Sequence, residues 1–118
     1  PFKLIFQYPR WKNMVNRYTS PPGGSSHQYG GATDVTIINS SGNRLDMGTT
    51  LTDFGEKVHT ENDLITEEQR ENRKVLYDAM TKAGFINYPL EWWHYSYGDR
   101  MWAAYSGKKE CFYDKIEE

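Results

Sequence analysis

The chain has 118 residues and a formal net charge of -2, with 14 Lys or Arg and 16 Asp or Glu interspersed, enough for one domain near the small end of the sizes that sustain a good core. With no basic stripe, a single cysteine (Cys111), no apolar run of bilayer length and no leader-type pattern, nucleic-acid binding, an internal disulfide framework and a membrane span are excluded. A small soluble partner is expected, in the cytoplasm, or in the cell envelope if a signal segment has been removed.

In chain order, Pro1 to Tyr8 is apolar and ambiguous: Phe2, Leu4 and Phe6 alternate as in a strand, Ile5 interrupts, and Pro9 ends any helix. The Pro, Gly and Ser of residues 20–26 predict a loop that delivers His27. Ala32 to Asn39 is dense in β-branched residues and is bounded by Gly31 and by Ser40-Ser41-Gly42-Asn43, which predicts a strand. Side chains alternate across it, so Asp34 shares a face with Thr36 and Ile38, opposite Val35 and Ile37.

From Asp46 to Asp63 there is little periodicity, which predicts a long loop over the site. Thr66-Glu67-Glu68-Gln69 fits a capping box, so a helix should run from about Glu67 to Ala83 and stop at Gly84. Its apolar stripe is expected to be Val75, Leu76, Ala79, Met80 and Ala83. Leu90 to Tyr97 predicts a central strand, with short strands or turns from Met101 to Tyr113. The fold class is α+β, a mainly antiparallel sheet packed against helices.

Two runs carry chemistry: Ser25-Ser26-His27-Gln28-Tyr29-Gly30-Gly31-Ala32-Thr33-Asp34 and Glu91-Trp92-Trp93-His94. A hydrolytic zinc needs three protein ligands and one open position, so that bound water loses its proton near neutral pH. His27, Asp34 and His94 are the right number and kind. A carboxylate off the metal must take that proton, and Glu91 is placed for it. His59 has no partner of metal-ligand type nearby and is read as an ordinary histidine. Trp92 and Trp93 are read as core and pocket-wall residues. One difficulty stands out: in a regular strand Glu91 and His94 would face opposite ways. A bulge is therefore expected, or a strand that begins only after Glu91.

The two runs together resemble the zinc D,D-peptidases, with the pattern S-x-H-x-x-G-x-A-x-D followed far downstream by E-x-x-H, and most closely the VanX-type D-alanyl-D-alanine dipeptidases. The resemblance extends to Ser20-Pro21-Pro22-Gly23, Leu45-Asp46-Met47-Gly48-Thr49, Tyr95 and Gly98-Asp99-Arg100. It implies a zinc D,D-peptidase or hedgehog-like fold with one Zn2+ per chain, and hydrolysis of D-Ala-D-Ala in a bacterial cell-wall context. It also implies that Ser25 lies close to bound substrate. The family is longer and carries an arginine in a Tyr-Arg-Pro-like segment, thought to stabilise the oxyanion; Tyr8-Pro9-Arg10 does not match it, so that role is not carried to Arg10. On this reading residues 1–118 form a single, N-terminally shortened domain. Where the family follows Met-Gly-Thr with an ammonium-binding aspartate, Thr52 stands here and Asp53 comes one later, so Asp53 takes the role if the loop is repositioned. Two alternatives stay open: a D,D-carboxypeptidase or endopeptidase on peptidoglycan stems, and a non-catalytic zinc-stabilised binding domain.

Overall fold

The computed structural model describes residues 3–7, for the backbone alone, and residues 30–113. The expected loop over residues 20–26, with Ser25 and His27, lies outside the described residues. Four strands, β1 (Lys3–Gln7), β2 (Ala32–Ile38), β3 (Ile86–Asn87) and β4 (His94–Ser96), form a sheet of order β1-β2-β4-β3. Every neighbouring pair is antiparallel. Two helices, α1 (Glu67–Lys82) and α2 (Arg100–Ser106), and a 3-10 turn at Glu56–Val58 complete the described elements. The α+β expectation holds. No helix among the described residues is long and apolar enough to cross a membrane.

The strand at β2 forms where its β-branched residues predict it, and it divides the sheet as alternation requires. Val35 and Ile37 are fully buried in a cluster with Met47, Leu76, Met80, Trp92, Trp93 and Tyr95. Removing a side chain such as Leu76 from water contributes roughly 1.5–3 kcal/mol. Asp34 and Thr36 project from the opposite face.

Helix α1 begins at a complete capping box: the Thr66 hydroxyl accepts from the Gln69 N–H at 3.2 Å, and the Gln69 side chain accepts from the Thr66 N–H at 2.9 Å. It ends before Gly84, whose φ of 95° lies in the left-handed region that favours glycine. The buried stripe differs from the expected one. Leu76 and Met80 are buried, but Val75 is 44% exposed and Ala79 and Ala83 are exposed, while Arg73 is only 3% exposed. Arg73 can go inside because its planar fork is spent on backbone. Its Nε donates to Met47 O at 2.7 Å, Nη1 to His59 O at 2.8 Å and Nη2 to Lys57 O at 2.7 Å. Burial pushes its pKa down to about 10, still a cation at working pH. The guanidinium also sits 5.5 Å from the Trp92 ring centroid. Arg73 thus ties the long loop expected over residues 46–63 to α1 at three carbonyls.

Two further expectations are corrected. The strand predicted over residues 90–97 shrinks to His94–Ser96, because residues before it turn back on themselves: Glu91 N donates to Tyr88 O at 3.0 Å and His94 N to Glu91 O at 3.3 Å. Of the strands or turns predicted from Met101 to Tyr113, the first part is instead helix α2, while residues 107–113 are turn and irregular chain. Asp99 caps it by accepting from Trp102 N at 2.8 Å, and Gly107 closes it at φ 71°.

Candidate metal centre

The β2–β4 register sets Asp34 directly opposite His94. The His94 backbone is engaged elsewhere, its N–H with Glu91 O and its carbonyl with Tyr88 N at 3.0 Å. Asp34 and His94 therefore form a non-hydrogen-bonded pair, the kind in which facing side chains approach most closely. His94 Nδ1 lies 3.4 Å from Asp34 Oδ1.

Glu91 reaches the same point from the turn. Its Oε2 is 3.7 Å from His94 Nδ1, although the two residues are three apart. Of the two expected solutions, the strand that begins after Glu91 is the one found. Donor atoms of Asp34, Glu91 and His94 all lie within 4.8 Å of one another. One imidazole nitrogen and two carboxylate oxygens at that spacing suit a divalent ion such as Zn2+. The residues fit the group.

His94 is buried, and the Tyr88 ring packs edge-on against it, with centroids 5.8 Å apart at 71°. Burial, then the charges of Glu91 and Tyr105, raise the Tyr88 pKa, so the phenol stays protonated beside the carboxylate. Sequence reasoning missed Tyr88; its place just before the Pro89 turn was the available signal.

The remaining expected residues lie apart. Trp93 is buried in the core, edge-to-face with Trp92 at 5.3 Å. Asp53 is exposed, and its carboxylate accepts from Thr50 N at 2.8 Å. Thr36, Met47, Thr49, Asp53 and Trp92 line an open cavity of about 330 Å³. Asp34, Glu91 and His94 are not among the residues that line it. Trp92 joins that wall, its indole N–H donating to Thr49 Oγ1 at 2.8 Å.

The model of the D-ala-D-ala dipeptidase family matches residues 6–115. The chain is 30% identical over 120 residues to a D-alanyl-D-alanine dipeptidase of Synechocystis sp., covering 92% of this chain and 47% of that protein. To the D-alanyl-D-alanine dipeptidase of Escherichia coli it is 36% identical over 72 residues, covering 61% of this chain and 37% of that protein. To that of Enterococcus faecium it is 36% identical over 72 residues, covering 60% and 36%. The chain thus spans about half the length, or less, of the curated relatives it matches. With a family match over almost its whole length, the chain belongs to the D-Ala-D-Ala dipeptidase family.

Proposed function

We propose that the chain carries the metal site of a zinc-dependent D-alanyl-D-alanine dipeptidase, as a single domain with one Zn2+. Asp34 and His94 are two of the ligands and His27 the third; Glu91 is the proton-transfer group. The observation that carries this reading is the convergence of Asp34 Oδ1 and Glu91 Oε2 on His94 Nδ1, at 3.4 and 3.7 Å, from positions that a continuous strand would separate.

A zinc ion held there supplies an acidified water and a Lewis acid for the scissile carbonyl. Glu91 Oε2 accepts the proton released as the peptide carbonyl is attacked, and then donates it to the amine of the departing D-alanine. Asp34 and His94, fixed across two paired strands, keep that carboxylate's target in place. The buried side of the site, with His94 enclosed and Tyr88 against its ring, keeps bulk water from competing for the proton. Ser25 and Asp53 are the proposed substrate contacts; Trp93, expected to be a third, is instead buried in the core at 5% exposure. The location that goes with this reading is the cytoplasm.

A second reading, a D,D-carboxypeptidase or endopeptidase acting on peptidoglycan stems, draws on Asp53. Its carboxylate is engaged by Thr50 N within its own loop, and so is less ready to hold the ammonium of a free dipeptide. The test is D-Ala release by the zinc-loaded protein from D-Ala-D-Ala and from a stem pentapeptide. Release from the dipeptide alone supports the first reading, release from the pentapeptide supports the second, and release from neither contradicts both.

A further inference from the structure

Glu91 and His94 converge because the chain turns between Tyr88 and His94; Glu91 O accepts from His94 N and His94 O from Tyr88 N, and each carbonyl keeps a second lone pair facing inward. A single buried side chain collects them. Asn87, 8% exposed, donates from Nδ2 to Glu91 O at 3.0 Å and to His94 O at 3.1 Å, and lies 3.4 Å from Trp92 O. Its Oδ1 accepts from Thr60 Oγ1 at 2.5 Å. That hydroxyl fixes which way the amide faces, oxygen towards Thr60 and NH2 towards the carbonyls.

The loop that carries Thr60 brackets the turn with its backbone as well. Thr60 N donates to Pro89 O at 2.9 Å, and Trp92 N donates to Val58 O at 2.9 Å. On its far side the same loop is held by Arg73 through Lys57 O and His59 O.

We infer that Asn87, oriented by Thr60, is a positioning residue that sets the separation of the Glu91 carboxylate from the His94 imidazole. This rests on the reading of Asp34, Glu91 and His94 as a metal site. The two N–H donors of one amide grip the carbonyls at both ends of the Glu91–His94 segment, which makes a brace of fixed length. The Asp34–His94 pair is set separately by the β2–β4 register. That register fixes only the backbone, so loosening the brace shifts the Glu91 carboxylate and also frees the His94 imidazole, a proposed metal ligand, to turn away from Asp34.

The experiment compares wild type, Thr60→Val, Thr60→Ser and Asn87→Asp for Zn2+ affinity by chelator competition, for thermal unfolding without metal, and for the kinetics of D-Ala release. Thr60→Val keeps the shape and deletes the donor, Thr60→Ser restores it, and Asn87→Asp turns an oxygen towards the carbonyls. Thr60→Val and Asn87→Asp should weaken Zn2+ binding about tenfold or more, the scale on which partners of metal ligands act. Turnover should fall with them while KM stays within about twofold, because the base and not substrate binding is displaced. Thr60→Ser should match wild type. Equal Zn2+ affinity in all four proteins, a loss that Thr60→Ser does not restore, or a lowered melting temperature as the only effect would overturn the inference. Should Asn87→Asp not fold, the two Thr60 variants decide. A wild type that binds Zn2+ but releases no D-Ala contradicts the hydrolytic reading, and the affinity comparison still decides the brace. A wild type that binds no Zn2+ overturns both.

Discussion

Two carboxylates brought within reach of one ring nitrogen repel each other unless a cation shares the space, and at His94 Nδ1 the separations are 3.4 and 3.7 Å. Asp34→Asn and His94→Ala should therefore weaken Zn2+ binding by more than the roughly 10–100-fold that outer partners of metal ligands cost. Calorimetric titration measures it, and wild-type affinity in either variant would remove that residue from the ligand set. Arg73 presents the opposite case, a buried cation whose partners are backbone carbonyls of Met47, Lys57 and His59. Arg73→Met removes a donor from each of three carbonyls, of which Lys57 O and His59 O keep the Asn62 amide at 3.2 and 2.9 Å, and should cost about 2 kcal/mol in urea unfolding. Arg73→Lys should recover little, because an ammonium cannot reach along the same fork. That Asp34 and His94 meet was legible in the sequence through the two motifs and the family pattern they resemble. The placement of Arg73 was not, since hydropathy assigns arginine to water and says nothing of carbonyls converging from a distant loop.

Helix α1 shows which elements a sequence specifies locally. Thr66 and Gln69 satisfy each other's backbone within one turn, so the start was visible; the buried face depended on what packed against it, and Val75 lost its place to Arg73. Thr66→Ala should lower stability by about 1 kcal/mol, read from the urea midpoint. Helix α2 went unseen because Arg100–Ser106 is too short to establish a period, although Asp99 and Gly107 do mark its ends. β4 was overestimated for a different reason: aromatic residues favour strands, but Asn87 and the loop at Val58–Thr60 hold the preceding residues in a turn. A further anchor of the loop is Asp46, whose carboxylate accepts from Gln69 Nε2 at 2.9 Å and from Gly48 N at 3.0 Å. The Gln69 bond, then the Gly48 bond, hold its pKa below the ordinary value. The folded state thus binds this proton more weakly than the unfolded state, and the contribution is whole above the ordinary carboxylate range and lost as pH falls through the lowered value. The gap in melting temperature between wild type and Asp46→Asn should be present at neutral pH and narrow as pH falls below the ordinary carboxylate range. A gap unchanged by acid would contradict that assignment.

At the scale of the molecule, α1, the loop, the turn and the sheet form one connected support: Arg73 holds Lys57 and His59, Thr60 orients Asn87, and Asn87 holds Glu91 beside the Asp34–His94 pair. A support built for a metal should be stabilised by it. Zn2+ at about 100 times its dissociation constant adds roughly 2.7 kcal/mol to folding, visible as a raised melting temperature that a chelator reverses. The central claim is that Asp34 and His94 hold the metal while Glu91 moves the proton. It is tested most directly by measuring zinc content and D-Ala release from D-Ala-D-Ala in the same preparations of wild type and Glu91→Gln. The account predicts one zinc per chain in both, with release in the variant reduced by about 100-fold or more. Equal release from both proteins, or wild type without zinc, would contradict it.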